Sequence, residues 1–156
     1  MDLRDKAIAL ALATAIAAPM EGLRQAAYFD PPGIPTICFG STKGVKMGDF
    51  RTAPECRALL TKEMMYVVEA VDRCRPGLPT NVLAAFSDAA YNIGEYIACD
   101  PKRSTAARLL QSGDYAGACE QLLRWDKARV GGIQVVLPGL TKRRQMEMDL
   151  CLTPSP

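Results

Sequence analysis

Apolar residues in this chain recur mostly with the period of a helix. Leu59, Leu60, Met64, Val67, Val68 and Val71 fall on one face of a run from Glu55 to Cys74. Thr52 and Glu55 stand ahead of it at capping-box spacing, with Pro54 in the first turn, which predicts where that helix starts. RPGLPT ends it. The next stretch, NVLAAFSDAAYNIG, is apolar all round except at Asn81, Ser87, Asp88 and Asn92. A helix without a polar face belongs at the centre of a core, and Gly94 supplies its stop. Ser104 caps STAARLLQSG, Asp114 starts DYAGACEQLLRW, and LTKRRQMEMDLCL reads as a last, basic helix. ARVGGIQVVLPG is expected to be irregular, because Gly131, Gly132, Pro138 and Gly139 interrupt it.

One stretch breaks the helical period. After Glu21 the chain reads GLRQAAYFDPPGIPTICFGST. Pro31, Pro32, Gly33 and Pro35 cannot continue a helix. The β-branched and aromatic run from Ile34 to Phe39, closed by Gly40, predicts a strand in a small β-hairpin lobe. The chain is thus expected to be a single α+β domain, mostly α, over residues 1–156. An apolar helix over 1–20 leads to a β lobe over 21–52, a connecting helix over 53–75 and a helical lobe over 76–152.

The opening helix admits three readings. Ala7 to Met20 carries no charge. A helix over that run is roughly 21 Å long, short of a hydrocarbon core of roughly 30 Å. It is the buried first helix of the domain, a weak and releasable membrane anchor, or a signal peptide cut near Ala15-Ile16-Ala17. The last would remove the helix leading into Glu21.

Composition narrows the chemistry. Apolar residues at 49% and charged residues at 23% mark a globular chain rather than a disordered one. The net charge of +2 does not call for a nucleic-acid partner. The absence of His excludes a Ser-His triad, a Cys-His dyad and His-ligated zinc. Carboxylates, Cys, Lys and Tyr remain. The six cysteines, at 38, 56, 74, 99, 119 and 151, form no CxxC pair. An even, dispersed set favours disulfides formed in an oxidising compartment over buried free thiols, and leaves the connectivity open.

The candidate catalytic groups are Glu21, Asp30 and Thr36. Glu21 falls at the end of the first helix and Asp30 on the β lobe. LRQAAYF between them is apolar enough to shield one carboxyl and raise its pKa by desolvation. Two carboxyl groups in unlike environments suit glycosidic bond hydrolysis: one protonates the leaving oxygen and the other steers water. Each residue also has an ordinary reading: a solvated helix residue, a turn former before Pro31, a strand threonine. Asn92 at the lobe junction, Trp125 and Arg143 are candidate substrate contacts. Trp125 equally suits a core anchor. Arg143, with Lys142 and Arg144, is either an anion-attracting cluster or a solvated helix face.

These residues carry a resemblance. A Glu, eight residues, an Asp, five residues and a Thr, set in EGLRQAAYFD, GIPTICFG and ST, is similar to the catalytic stretch of the phage-type lysozymes. AAYNIG, STAARLLQSGDYAGACEQLLRW and PGLTKRRQMEMDLC resemble that family's core and last helices. The resemblance implies the two-lobed lysozyme fold, no cofactor or metal, and a monomer acting on peptidoglycan. The implied reaction is inverting cleavage of the β-1,4 bond between N-acetylmuramic acid and N-acetylglucosamine. Glu21 is then the general acid, Asp30 activates water and Thr36 orients it. It also implies the pairs Cys38–Cys56, Cys74–Cys99 and Cys119–Cys151, action in the periplasm of a Gram-negative host, and transient inner-membrane association through residues 7–20. Ser41 stands where many members have His, so altered packing is expected there. A lytic transglycosylase, and a wall-binding or membrane-disrupting module carried by the basic last helix, are the alternatives.

Overall fold

The structure is a computed structural model and describes residues 1–155. Helix α1 runs from Leu3 to Glu21, with Pro19 on its exposed side. Its buried residues, Ala9, Ala13, Ile16 and Ala17, recur at helical spacing. The three alanines among them let α1 lie close against α3 (Thr80–Ile93), which is buried without a break from Thr80 to Ala90. That is the core position its unbroken apolar pattern predicted, and α1 packs there as the first helix of the domain. Helix α2 (Ala53–Cys74) carries the expected capping box, with Thr52 and Glu55 exchanging side-chain and backbone bonds.

Strands β1 (Arg24–Phe29) and β2 (Pro35–Cys38) form an antiparallel hairpin. Tyr28 faces Thr36, Phe29 faces Pro35, and a bulge lies between Arg24 and Tyr28. This small lobe sits between α1 and α2. After α3 come α4 (Tyr96–Cys99), α5 (Thr105–Ser112), α6 (Tyr115–Gln121) and a 3-10 turn at Leu122–Arg124. A second hairpin follows, β3 (Lys127–Val130) with β4 (Ile133–Val136), and α7 (Pro138–Leu152) closes the chain.

The second hairpin corrects the expectation of irregular backbone over ARVGGIQVVLPG. Gly131 and Gly132 have φ of 56° and 82°. Two consecutive positive φ values are what a two-residue hairpin turn needs, so the glycines join strands here rather than interrupt structure. The signal was hidden because neither strand has a wholly buried face: Val130 and Ile133 are 54% and 69% exposed. Lys127 to Val130 alternates polar and apolar, but over only four residues, and Ile133 to Val136 ends on two adjacent valines.

Three disulfides staple the elements: Cys38–Cys56 joins β2 to α2, Cys74–Cys99 joins α2 to α4, and Cys119–Cys151 joins α6 to α7. These are the pairs that the resemblance implied. No helix among the described residues is long and apolar enough to cross a membrane.

Candidate active site

Glu21 is the last residue of α1, and Gly22 ends the helix by donating to the Ala18 carbonyl at 3.1 Å. The negative pole of the helix lies at this end, so a carboxylate here calls for a cation. Arg143 of α7 supplies it. Its Nη1 donates to Glu21 Oε1 at 2.6 Å. Its Nε and Nη2 donate to Asp88 Oδ2 and Oδ1 at 2.9 and 2.8 Å. Burial opposes the charge on Arg143, but the bonds and attraction from Asp88, then Glu21, outweigh it and push its pKa above its already high value.

A second buried pair adjoins the first. Arg144 donates to Glu147 Oε1, and both side chains are fully buried. Burial first, then the neighbouring Asp88, push the Glu147 carboxyl up to about 9, against the pull of Arg144. Glu147 Oε2 has no hydrogen-bond partner among the described residues.

The β lobe meets Glu21 through a tight turn. Ile37 and Ser41 exchange both backbone hydrogen bonds at 2.9 Å. Cys38 sits at φ 63° and Gly40 at φ 86°. A Cβ on Gly40 would stand 3.1 Å from Glu21 Oε2. The turn backbone therefore packs on the carboxylate itself. Ser41 donates to Glu63 Oε2 on α2 at 2.8 Å. The Tyr91 hydroxyl lies 3.1 Å from the same oxygen and 3.2 Å from the Phe39 carbonyl. Burial, then Glu63, raise the Tyr91 pKa well above its ordinary value, so the phenol stays a neutral donor joining the lobes.

Glu21, Ser41, Lys43, Glu63, Tyr91 and Asn92 line a cleft of about 980 Å³. On the other side of Glu21 lies a cavity of about 370 Å³ bordered by Asn92, Leu137, Leu140 and Arg143. A third, of about 510 Å³, is walled by Tyr96, Trp125, Lys127 and Gln134, and again by Asn92. Asn92 thus borders all three. Trp125 is half-buried and meets Tyr96 edge to face, with ring centroids 5.6 Å apart.

Asp30 and Thr36 are organised apart from this cluster. Asp30 follows β1, at the hairpin turn. Its Oδ1 accepts from the Ile34 N–H at 2.7 Å, and its own N–H donates to the Ile34 carbonyl at 3.0 Å. Thr36, buried on β2, donates its hydroxyl to that same carbonyl at 2.9 Å. Both side chains thus bond the Ile34 backbone at the hairpin turn. Neither borders the three cavities around Glu21 and Asn92.

Similarity to known proteins follows the same layout. The family model described as phage lysozyme matches residues 18–147. The chain belongs to the phage lysozyme family. It is 37% identical over 154 residues to a SAR-endolysin of Pseudomonas phage phiKMV, covering 98% of this chain and 92% of the relative. It is 36% identical over 135 residues to the SAR-endolysin of Enterobacteria phage P21, covering 85% and 78%. The solved endolysin from Escherichia coli O157:H7 phage FAHEc1 superposes with a TM-score of 0.79 at 33% identity, covering 100% and 97%. The muramidase domain of SpmX from Asticaccaulis excentricus gives 0.80 at 31%, covering 94% and 95%. The protein is thus a lysozyme-family enzyme of peptidoglycan degradation.

Within this phage lysozyme, two expectations need correcting. LRQAAYF does not shield a carboxyl: β1 lies largely exposed, and the group against Glu21 is the Arg143 guanidinium. Alternation within a two-stranded lobe cannot bury both faces. Arg143 and Arg144 are neither a solvated face nor an open anion-attracting patch. They are 3% and 0% exposed and paired to carboxylates, so the last helix is not a free basic amphipathic surface. Asp88, Glu147 and Glu63 were not picked out as site residues. Asp88 had a signal: a lone carboxylate in an all-apolar helix must find a cation. Glu63 had none, being one of several charges on α2.

Proposed function

We propose that this lysozyme hydrolyses the β-1,4 bond between N-acetylmuramic acid and N-acetylglucosamine, with inversion. Glu21 donates a proton to the leaving oxygen, Asp30 activates the attacking water, and Thr36 orients it. Asn92 contacts the glycan in the cleft, Trp125 does so in the neighbouring cavity that Asn92 also borders, and Arg143 holds Glu21. The observation that carries the reading is the setting of Glu21. It stands at a helix end where both lobes and α7 converge, on a cleft sized for a sugar chain. Asp30 and Thr36 are both tied to the backbone of Ile34 at the hairpin turn. This suits a paired role, the Asp30 Oδ2 oxygen taking no part in those bonds.

Action in the periplasm is supported by three disulfides, which need an oxidising compartment, and by relatives that carry the name SAR-endolysin. Transient membrane association through residues 7–20 rests on those relatives alone, and α1 is packed inside the fold here.

The test is product analysis with Glu21→Gln and Asp30→Asn. Each variant is expected to keep its far-UV circular dichroism and lose roughly 10²–10⁴-fold in turnover. Wild-type products should carry a reducing muramic acid end, released as the inverted anomer in a rapid NMR assay. Full turnover by Glu21→Gln ends the assignment of the acid, and an anhydro end makes the enzyme a transglycosylase.

A further inference from the structure

Arg143 is the one cation bonded to Glu21 among the described residues, and Arg143 is itself held. A guanidinium presents its N–H groups in a fixed plane. Asp88 takes two of them, on Nε and Nη2, in a two-pronged bond at 2.9 and 2.8 Å. That fork fixes the plane, and Nη1 is left directed at Glu21. The next acceptor, Glu147 Oε1, lies 3.8 Å from Nε, too far to replace the fork. Glu21, Asp88 and Arg143 come from α1, α3 and α7, so the aim of Nη1 is decided by how three helices pack.

We propose that Asp88 is a positioning residue for Glu21, acting through Arg143. It orients the guanidinium, and it shares its charge. Without Asp88 the whole cation would face Glu21 alone and favour its ionised form. With Asp88 in place, Glu21 keeps an oriented partner and still takes up and gives away a proton. The other groups facing this cluster do not supply that balance. Tyr91 of α3 is neutral, and Arg144 is committed to Glu147. Lys43 and Lys62 border the open cleft, and Glu63 is occupied by Ser41 and Tyr91. The proposal rests on Glu21 being the acid.

The full chain is assayed on soluble peptidoglycan oligosaccharides. Asp88→Asn is expected to lower kcat by roughly 10- to 100-fold, the scale of a small misplacement of a reacting group. KM should stay within about twofold. The alkaline limb of the pH–rate profile should move to lower pH, and Asp88→Glu should restore part of the loss. A merely structural aspartate would lower Tm and leave the profile in place. In an Arg143→Met background, Asp88→Asn should cost nothing more in kcat. Wild-type kcat and an unmoved profile in Asp88→Asn overturn the proposal, as does a further loss in the Arg143→Met background. If a single variant fails to fold, the D88N/R143M double variant, which leaves no unpaired charge on Asp88, is compared with wild type. It should show the same kcat loss at unchanged KM, and undiminished kcat overturns the proposal. Turnover by Glu21→Gln would instead remove the reading of Glu21. An inactive Glu21→Gln beside an indifferent Asp88→Asn removes this inference alone.

Discussion

The two carboxylates of the motif are held in opposite ways. Asp30 is fixed by its own turn: its carboxylate and its N–H bond to Ile34, its carbonyl accepts from Gly33, and Thr36 also binds Ile34. Glu21 is fixed from far away in the chain, by Arg143, which is held in turn by Asp88. On the proposed reading, with Glu21 as acid and Asp30 as the residue that activates water, the contrast separates the jobs. A water-steering group can be pre-set by a local hairpin. A group that must exchange a proton needs a balanced buried electrostatic field, and only packed helices build one. Glu21 is therefore sensitive to changes anywhere between α1, α3 and α7, whereas Asp30 answers mainly to the geometry of residues 30–36.

The comparison can be broken hardest at Arg143. Arg143→Met leaves Asp88 buried and unpaired, and is expected to cost about 3–5 kcal/mol of stability in denaturant titrations. The backbone NMR shifts of residues 30–36 should stay in place. Loss of the Cys119–Cys151 bond, which spans 32 residues and pins α7, comes next. Replacing both cysteines by Ala should cost about 3–4 kcal/mol and lower the calorimetric Tm.

Glu147→Gln sharpens the electrostatic side. In the folded protein the Glu147 carboxyl keeps its proton up to about 9, against an ordinary value of 4.5. Between those two pH values the unfolded chain has released the proton and the folded chain has not. Wild-type stability therefore falls as pH rises through that window and levels off above it. Gln cannot ionise, so the variant should gain on wild type toward alkaline pH. The gain should grow steadily from pH 4.5 to about 9 and is read from melting curves at several pH values. A variant that tracks wild type at every pH would show that Glu147 is ionised in the fold. The smallest effect belongs to the locally held site. Thr36→Val removes one hydroxyl bond and should cost about 1 kcal/mol, with Glu21 and Arg143 undisturbed in a crystal structure of the variant.

Much of this architecture was legible in the chain itself. The capping box at Thr52 and Glu55, the stop at Gly94 and the unbroken apolar surface of α3 are local statements, and local physics honours them. So is the turn at Asp30, because Pro, Gly and Asp leave few other conformations. The second hairpin is hard to read because its two strands are only four residues long and largely exposed. The partnership of Glu21 was missed because it joins residues 122 apart.

The sequence by itself determined the order of helices and hairpin, the family, and a carboxylate at the end of the first helix. Local propensity and burial pattern act over a few residues and leave their mark in the chain. Only the tertiary structure decided that Arg143 and Arg144 turn inward, that Asp88 holds one of them, and that the backbone of Gly40 closes on Glu21. Those outcomes depend on which charges meet when water is excluded, and that is settled by packing three helices together.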